Sequence, residues 1–173
     1  MTASEIQFII AEAAYRKGDK PLALAAYANG ISMNFDMITT TYPQNVPTIF
    51  AITPANKSAY LANTAVVPAT PAGLNLSQIM LQKYIALYGW GVQQTWTDMR
   101  KYHYTDIDPA TGNQVYAGFT PPSTGNLIST NNGKLVYRCR PRYNSEYLYN
   151  IPELTRLGAL ALDYNTVRPW FAE

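Results

Sequence analysis

The chain holds one imidazole, His103, and one thiol, Cys139, so a Ser-His or Cys-His nucleophile relay would have to run through His103. No G-x-S-x-G turn accompanies that residue, and a place on the surface or in a hairpin is the preferred reading. One His without a C-x-x-C pair leaves no zinc-type donor set. Asp106, Asp108 and Gly112 share the opening of a calcium loop, but its third oxygen ligand and closing Glu are missing. A Pro/Gly turn over residues 106–113 accounts for the same side chains. Eleven carboxylates with no motif around them give no signal of the paired acids that glycoside cleavage uses, a pairing that spacing alone does not decide. The expectation is a protein without catalytic residues, cofactor or metal.

Arg138, Arg140 and Arg142 alternate with Cys139 and Pro141, so an extended segment would turn all three to one face. Such a face could grip an anion; the alternative is pairing with acids or with backbone carbonyls at a helix end. Cys139 is expected to be a buried filler, although exposure between two arginines would activate the thiol. The net charge of +2 is too mild for a nucleic-acid footprint. Charged residues make up only 14% of the chain, against about 25% in ordinary globular proteins. Fourteen tyrosines must therefore help to cover the surface, and such a surface suits sugars or protein partners.

These groups depend on the elements that carry them. Residues 4–35 resemble one tetratricopeptide-type helix pair, with Ala11, Ala14, Gly18, Ala23 and Gly30 where two helices touch and Tyr27 as the large aromatic. Ser4 with Gln7 is expected to form a capping box, Gly18 to end the first helix, and Asp19 with Pro21 to open the second. Repeats of this kind bury their apolar face by stacking, so the chain reads as a piece of something longer.

Residues 39–74 carry Pro43, Pro47, Pro54, Pro68 and Pro71 and read as a loop excursion, with at most one helical turn over 58–63. Residues 75–101 form a second helical pair, capped by Asn75 and broken at Gly89-Trp90-Gly91. Residues 102–173 read as a small β-hairpin around the 106–113 turn, then loops, a short extended segment at 135–140, a polar turn at 145–150 and a last helix within 151–162. The fold class is mainly α, with tetratricopeptide-like helical hairpins in an α-α superhelix, long irregular loops and a small β-hairpin. Residues 1–173 form a single domain.

Three blocks in order resemble the SusD/RagB family of outer-membrane nutrient-binding lipoproteins. Residues 77–89, SQIMLQKYIALYG, followed by Trp96-Thr-Asp-Met-Arg-Lys-Tyr, are similar to its "QKW-I-A-L … E-A-W-x-D-x-R-R" stretch. Arg140-Pro-Arg-Tyr-Asn-Ser-Glu-Tyr-Leu-Tyr-Asn is similar to its "R-x-x-Y-P-x-x-E-x-x-x-N" ending, and the opening repeat fits the family's tetratricopeptide units. Tyr84 stands where Trp is usual and Lys101 where a second Arg is usual, which keeps size or charge.

The resemblance implies the C-terminal portion of a non-enzymatic, lipid-anchored cell-surface protein. It further implies a TonB-dependent SusC-like transporter as partner and a glycan or peptide as cargo, in Bacteroidetes. Aromatic rings stack on the C–H faces of sugars, and five residues are candidates for that contact. Trp90, between two glycines, is the aromatic least constrained to face inward. Tyr102, Tyr104, Tyr116 and Phe119 lie on the expected hairpin, where alternation would put Tyr102 and Tyr104 on one face. Packing over the helices is the alternative for each, and Tyr84 and Trp96 are assigned to the core. The competing function is a protein-interaction module of tetratricopeptide type without a small ligand.

Overall fold

The computed structural model describes residues 1–41 and 45–173. Pro43, one of the prolines that mark the 39–74 stretch, lies outside the described residues. Seven α-helices are present among them: α1 (Ala3–Lys17), α2 (Lys20–Asp36), α3 (Pro54–Ala62), α4 (Leu76–Ala86), α5 (Val92–Lys101), α6 (Tyr143–Tyr149) and α7 (Ile151–Arg156). The chain divides into two compact units, residues 1–99 with 105–118 and residues 100–104 with 119–173.

The first unit is built on α1 and α2, which form an antiparallel hairpin. Gly18 in the left-handed conformation ends α1, and Asp19 caps α2 by accepting from the Leu22 amide at 3.1 Å. Thr2, and not Ser4, is the N-cap of α1. Its hydroxyl accepts from the Glu5 amide while Glu5 accepts from the Thr2 amide. Ser4 has a different task, since its hydroxyl donates to the Gly30 carbonyl of α2 at 2.7 Å. At that crossing a Cβ on Gly30 would stand 3.0 Å from the Phe8 ring, so glycine allows the close approach. Phe8 meets Tyr27 edge to face, with ring centres 6.1 Å apart, and both are buried.

α4 packs on α1 and α2, and α3 packs on α2. The proline-rich stretch makes more helix than one turn because Pro54 sits in the first turn of α3. A missing amide costs nothing there, and Thr53 with Asn56 closes a capping box. Tyr60 on α3 packs against Phe35 at 5.4 Å and accepts from Gln82 of α4 at 2.8 Å. The Tyr27 hydroxyl donates to the Val66 carbonyl at 2.8 Å, which pins the chain between α3 and α4 to the helical hairpin.

No β-hairpin forms among the described residues. One isolated antiparallel bridge joins Ile107 and Gln114, flanked by backbone bonds from the Asp108 amide to the Asn113 carbonyl at 2.8 Å and from the Val115 amide to the Asp106 carbonyl at 2.9 Å, and side-chain bonds add to the closure. Asp108 accepts from the Ala110 amide at 3.1 Å and the Thr111 hydroxyl at 3.2 Å, as Asp does in tight turns. Residues 102–104 are not extended either. His103 and Tyr104 have φ of 44° and 65°, so the side-chain alternation expected of a strand does not arise.

In the second unit the Tyr137 and Arg138 amides both donate to the Asn165 carbonyl, at 2.8 and 3.1 Å. The expected polar turn at 145–150 is the helix α6. The last helix stops at Arg156, short of 162, because Gly158 turns left-handed and the Ala159 amide closes back on the Leu154 carbonyl at 2.7 Å. Leu154, Ala159 and Tyr164 form a small core, with Tyr147 packed against it. At the C-terminal end Ala172 is buried and its carbonyl meets His103 Nε2 at 2.9 Å, while Trp170 is exposed.

Candidate functional site

The sharpest feature of the first unit is the corner between α4 and α5. Asn75 opens α4 with a capping box to Gln78, and the helix stops at a break where Trp90 and Gly91 both return their amides to the Leu87 carbonyl, at 3.2 and 2.8 Å. A Cβ on Gly91 would lie 2.5 Å from Leu87 Cδ2, so the turn needs glycine. This corner opens a cleft of about 500 Å³ walled by Tyr84 on α4, by Leu87 and Tyr88 in the turn that follows it, and by Val92, Trp96 and Met99 on α5, with Gly89 and Thr95 completing it. Tyr84 and Tyr88 stand one turn apart, 45% and 80% exposed. The volume lies within the usual range of small-ligand sites.

Neither Tyr84 nor Trp96 is a core residue, because both line this cleft and Tyr84 is well exposed. The i, i+4 spacing of Tyr84 with Tyr88, matched by Val92 with Trp96 on α5, is the sequence signal for the cleft. Tyr88 carried that signal and lay outside the candidate set.

Of the five candidate aromatics, Trp90 and Tyr116 belong to the first unit and Tyr102, Tyr104 and Phe119 to the second. Trp90 follows the cleft residue Gly89 and is 48% exposed; its indole donates to the Ala86 carbonyl at 3.2 Å. Tyr116 is buried. Tyr104 and Phe119 stack with ring centres 5.9 Å apart, Tyr137 meets Tyr104 edge-on, and the Tyr104 hydroxyl donates to the Val136 carbonyl. Tyr102 and Tyr104 are buried and Phe119 is half-buried. The structure therefore joins Tyr104 with Phe119 and gives Trp90 the widest exposure of the five.

Two charged groups organise the first unit. Lys83 of α4 pairs with Asp98 of α5 at 2.7 Å, with side chains only 5% and 14% exposed. The Tyr15 hydroxyl donates to Asp108 at 2.7 Å, and Lys20 lies 3.4 Å over the Tyr15 ring while donating to the Leu74 carbonyl at 3.0 Å. Burial and the bond to Asp108 raise the Tyr15 phenol to about 12. Burial also pushes the Asp108 carboxyl up, but the bonds from Tyr15, Ala110 and Thr111 outweigh it and leave it below the ordinary value. Asp108 is thus spent on closing a turn. Among the described residues no cluster of three or more His, Cys, Asp or Glu is placed to hold a metal.

In the second unit two of the three arginines bind carbonyls. Arg138 donates to Val167 at 2.8 Å, and Arg140 donates to Leu162 at 2.6 Å and Ala161 at 2.9 Å. Arg142 precedes α6 and is exposed. Cys139 is exposed, not buried, between two arginines that are held at the surface by carbonyls of residues 161–167.

A family model described as starch-binding and associating with the outer membrane, SusD-like, matches residues 1–123. Comparisons with curated proteins and with solved structures found no match. The block that starts at Arg140 lies past the matched span, while the helical hairpin and the α4–α5 corner lie within it. No helix among the described residues is long and apolar enough to cross a membrane. With more than two-thirds of its length matched, the opening hairpin and the aromatic cleft included, the chain belongs to the SusD-like family of starch-binding, outer-membrane-associated proteins.

Proposed function

We propose that this chain is part of a non-catalytic, cell-surface glycan-binding component of a SusC/SusD-type, TonB-dependent outer-membrane uptake system. In this reading it is the C-terminal piece of a longer lipid-anchored protein, and α1–α2 is one unit of a tetratricopeptide-like superhelix. The single observation that carries it is the open aromatic cleft at the α4–α5 corner, inside the span that matches the family. Its walls offer ring faces and aliphatic carbons to the C–H faces of a sugar. No carboxylate or imidazole lines it, so it is suited to holding a ligand and not to general acid–base chemistry. Tyr88 on the cleft wall and Trp90, which follows the cleft residue Gly89, are the contact residues in this reading.

Calorimetric titration of the full-length protein with a glycan panel that includes maltohexaose tests the proposal. Saturable binding is expected, weakened about tenfold or more by Tyr88→Ala or Trp90→Ala, given about 1–3 kcal/mol per stacked ring. Turnover of any glycan by the purified protein would overturn the non-catalytic part. A second reading, a protein-interaction module, is favoured by Ile6, Ile9, Leu22 and Met33, which stand exposed on α1 and α2. Retention of the transporter by protein that binds no glycan would select it.

A further inference from the structure

We propose that a second, polar cleft on the first unit is a saccharide subsite, in which Glu5, Lys83 and Asp98 exchange hydrogen bonds with sugar hydroxyls. The inference rests on the glycan-binding reading and adds a site to it. The cleft measures about 350 Å³ and is lined by those three residues with Gln93, Gln94 and Thr97.

α5 divides the two clefts by its periodicity. Val92, Thr95, Trp96 and Met99 line the aromatic one, at i, i+3, i+4 and i+7, and Gln93, Gln94, Thr97 and Asp98 line the polar one. One helix thus presents apolar and hydrogen-bonding surfaces on adjacent sides, the two chemistries that a pyranose with C–H faces and equatorial hydroxyls requires.

The second observation is unspent hydrogen-bonding capacity on buried charged groups. Glu5 is 3% exposed. Its Oε2 accepts only from the Thr2 amide, at a long 3.3 Å, and among the described residues Oε1 accepts nothing. Lys83 is 4% exposed, and among the described residues its ammonium has Asp98 as partner and two further protons to give. Buried charges ordinarily keep at least one hydrogen-bond partner, and each of these has one, with capacity left over. Here the open capacity lines a cleft, with the amides of Gln93 and Gln94 at its exposed edge and Ile9 offering an aliphatic contact.

The test uses Glu5→Gln and Gln94→Ala in the full-length protein. Glutamine at position 5 preserves the capping box, which accepts Glu or Gln alike, and residue 94 is exposed, so its truncation spares the fold. Titration with the same glycan panel is expected to show affinity reduced about tenfold in Glu5→Gln, as for a hydrogen bond to a charged group, and about threefold in Gln94→Ala. Wild-type affinity in both variants, alongside loss of binding in Tyr88→Ala, would overturn the polar subsite and leave the aromatic cleft as the binding site. Failure of the wild-type protein to bind any glycan would overturn both. If Glu5→Gln lowers thermal stability, Gln94→Ala decides alone.

Discussion

Asp108 is a carboxylate kept charged in a buried position by three donors, one of them Tyr15 from a helix 93 residues earlier in the chain. Because its pKa is depressed in the folded state, the stability it contributes is present above the ordinary carboxylate value and lost as the pH falls through the folded one. Urea denaturation at pH 7 and pH 3 should show that loss, and it should shrink in Asp108→Asn. Tyr15 has the opposite sign. Its raised pKa, about 12, means stability fully present below the unfolded value and lost as the pH rises toward 12. Burial also raises the Tyr27 phenol, so ultraviolet titration should find both phenols ionising late, and one fewer in Tyr15→Phe. That variant should lose about 1–3 kcal/mol, since it leaves a buried carboxylate short of a donor.

At the scale of elements, two close approaches and one ion pair hold the first unit. Gly30→Ala would drive a methyl into the Phe8 ring and Gly91→Ala one into Leu87. Phe8 and Leu87 are both buried, so each variant should lose about 1–3 kcal/mol by thermal or urea unfolding. The Lys83–Asp98 pair ties α4 to α5 across the corner. Removing one member strands a buried charge, so Asp98→Ala should cost about 3–5 kcal/mol, whereas the double change Lys83→Met with Asp98→Leu should cost much less. A comparison of the three unfolding curves separates the pair from the packing around it.

At the scale of the whole molecule, the two units differ in what they bury. The first holds the helical hairpin with Phe8, Tyr27, Ile79 and Met80 fully or almost fully buried, while the second has the small cluster around Leu154, Ala159 and Tyr164. Local opening is easier where little apolar surface is buried. Native-state amide exchange should therefore protect α1, α2 and α4 most and α6 and α7 least. Equal protection in both would show that the second unit draws its stability from something other than this core.

The sequence by itself determined the helix punctuation. Gly18, Asp19, Pro21, Asn75 and the Gly89-Trp90-Gly91 break all act where expected, because a cap is a bond between residues two to four apart and needs no distant partner. The family blocks within residues 1–123 were equally legible, since they consist of residue identities in order. What required the tertiary structure was the burial of groups whose partners lie far along the chain. Ser4 left the N-cap to Thr2 because Gly30 of a second helix offered it a carbonyl. The 106–115 turn stopped at a single bridge instead of a β-hairpin, and its Asp108 carboxylate was taken up by Tyr15 of a distant helix. Tyr84 faced out while Tyr102 and Tyr104 went in, and Cys139 was exposed between Arg138 and Arg140, which found carbonyls more than 20 residues away. Each outcome depends on which distant group arrives to compete for the same side chain, and local spacing carries no record of that competition.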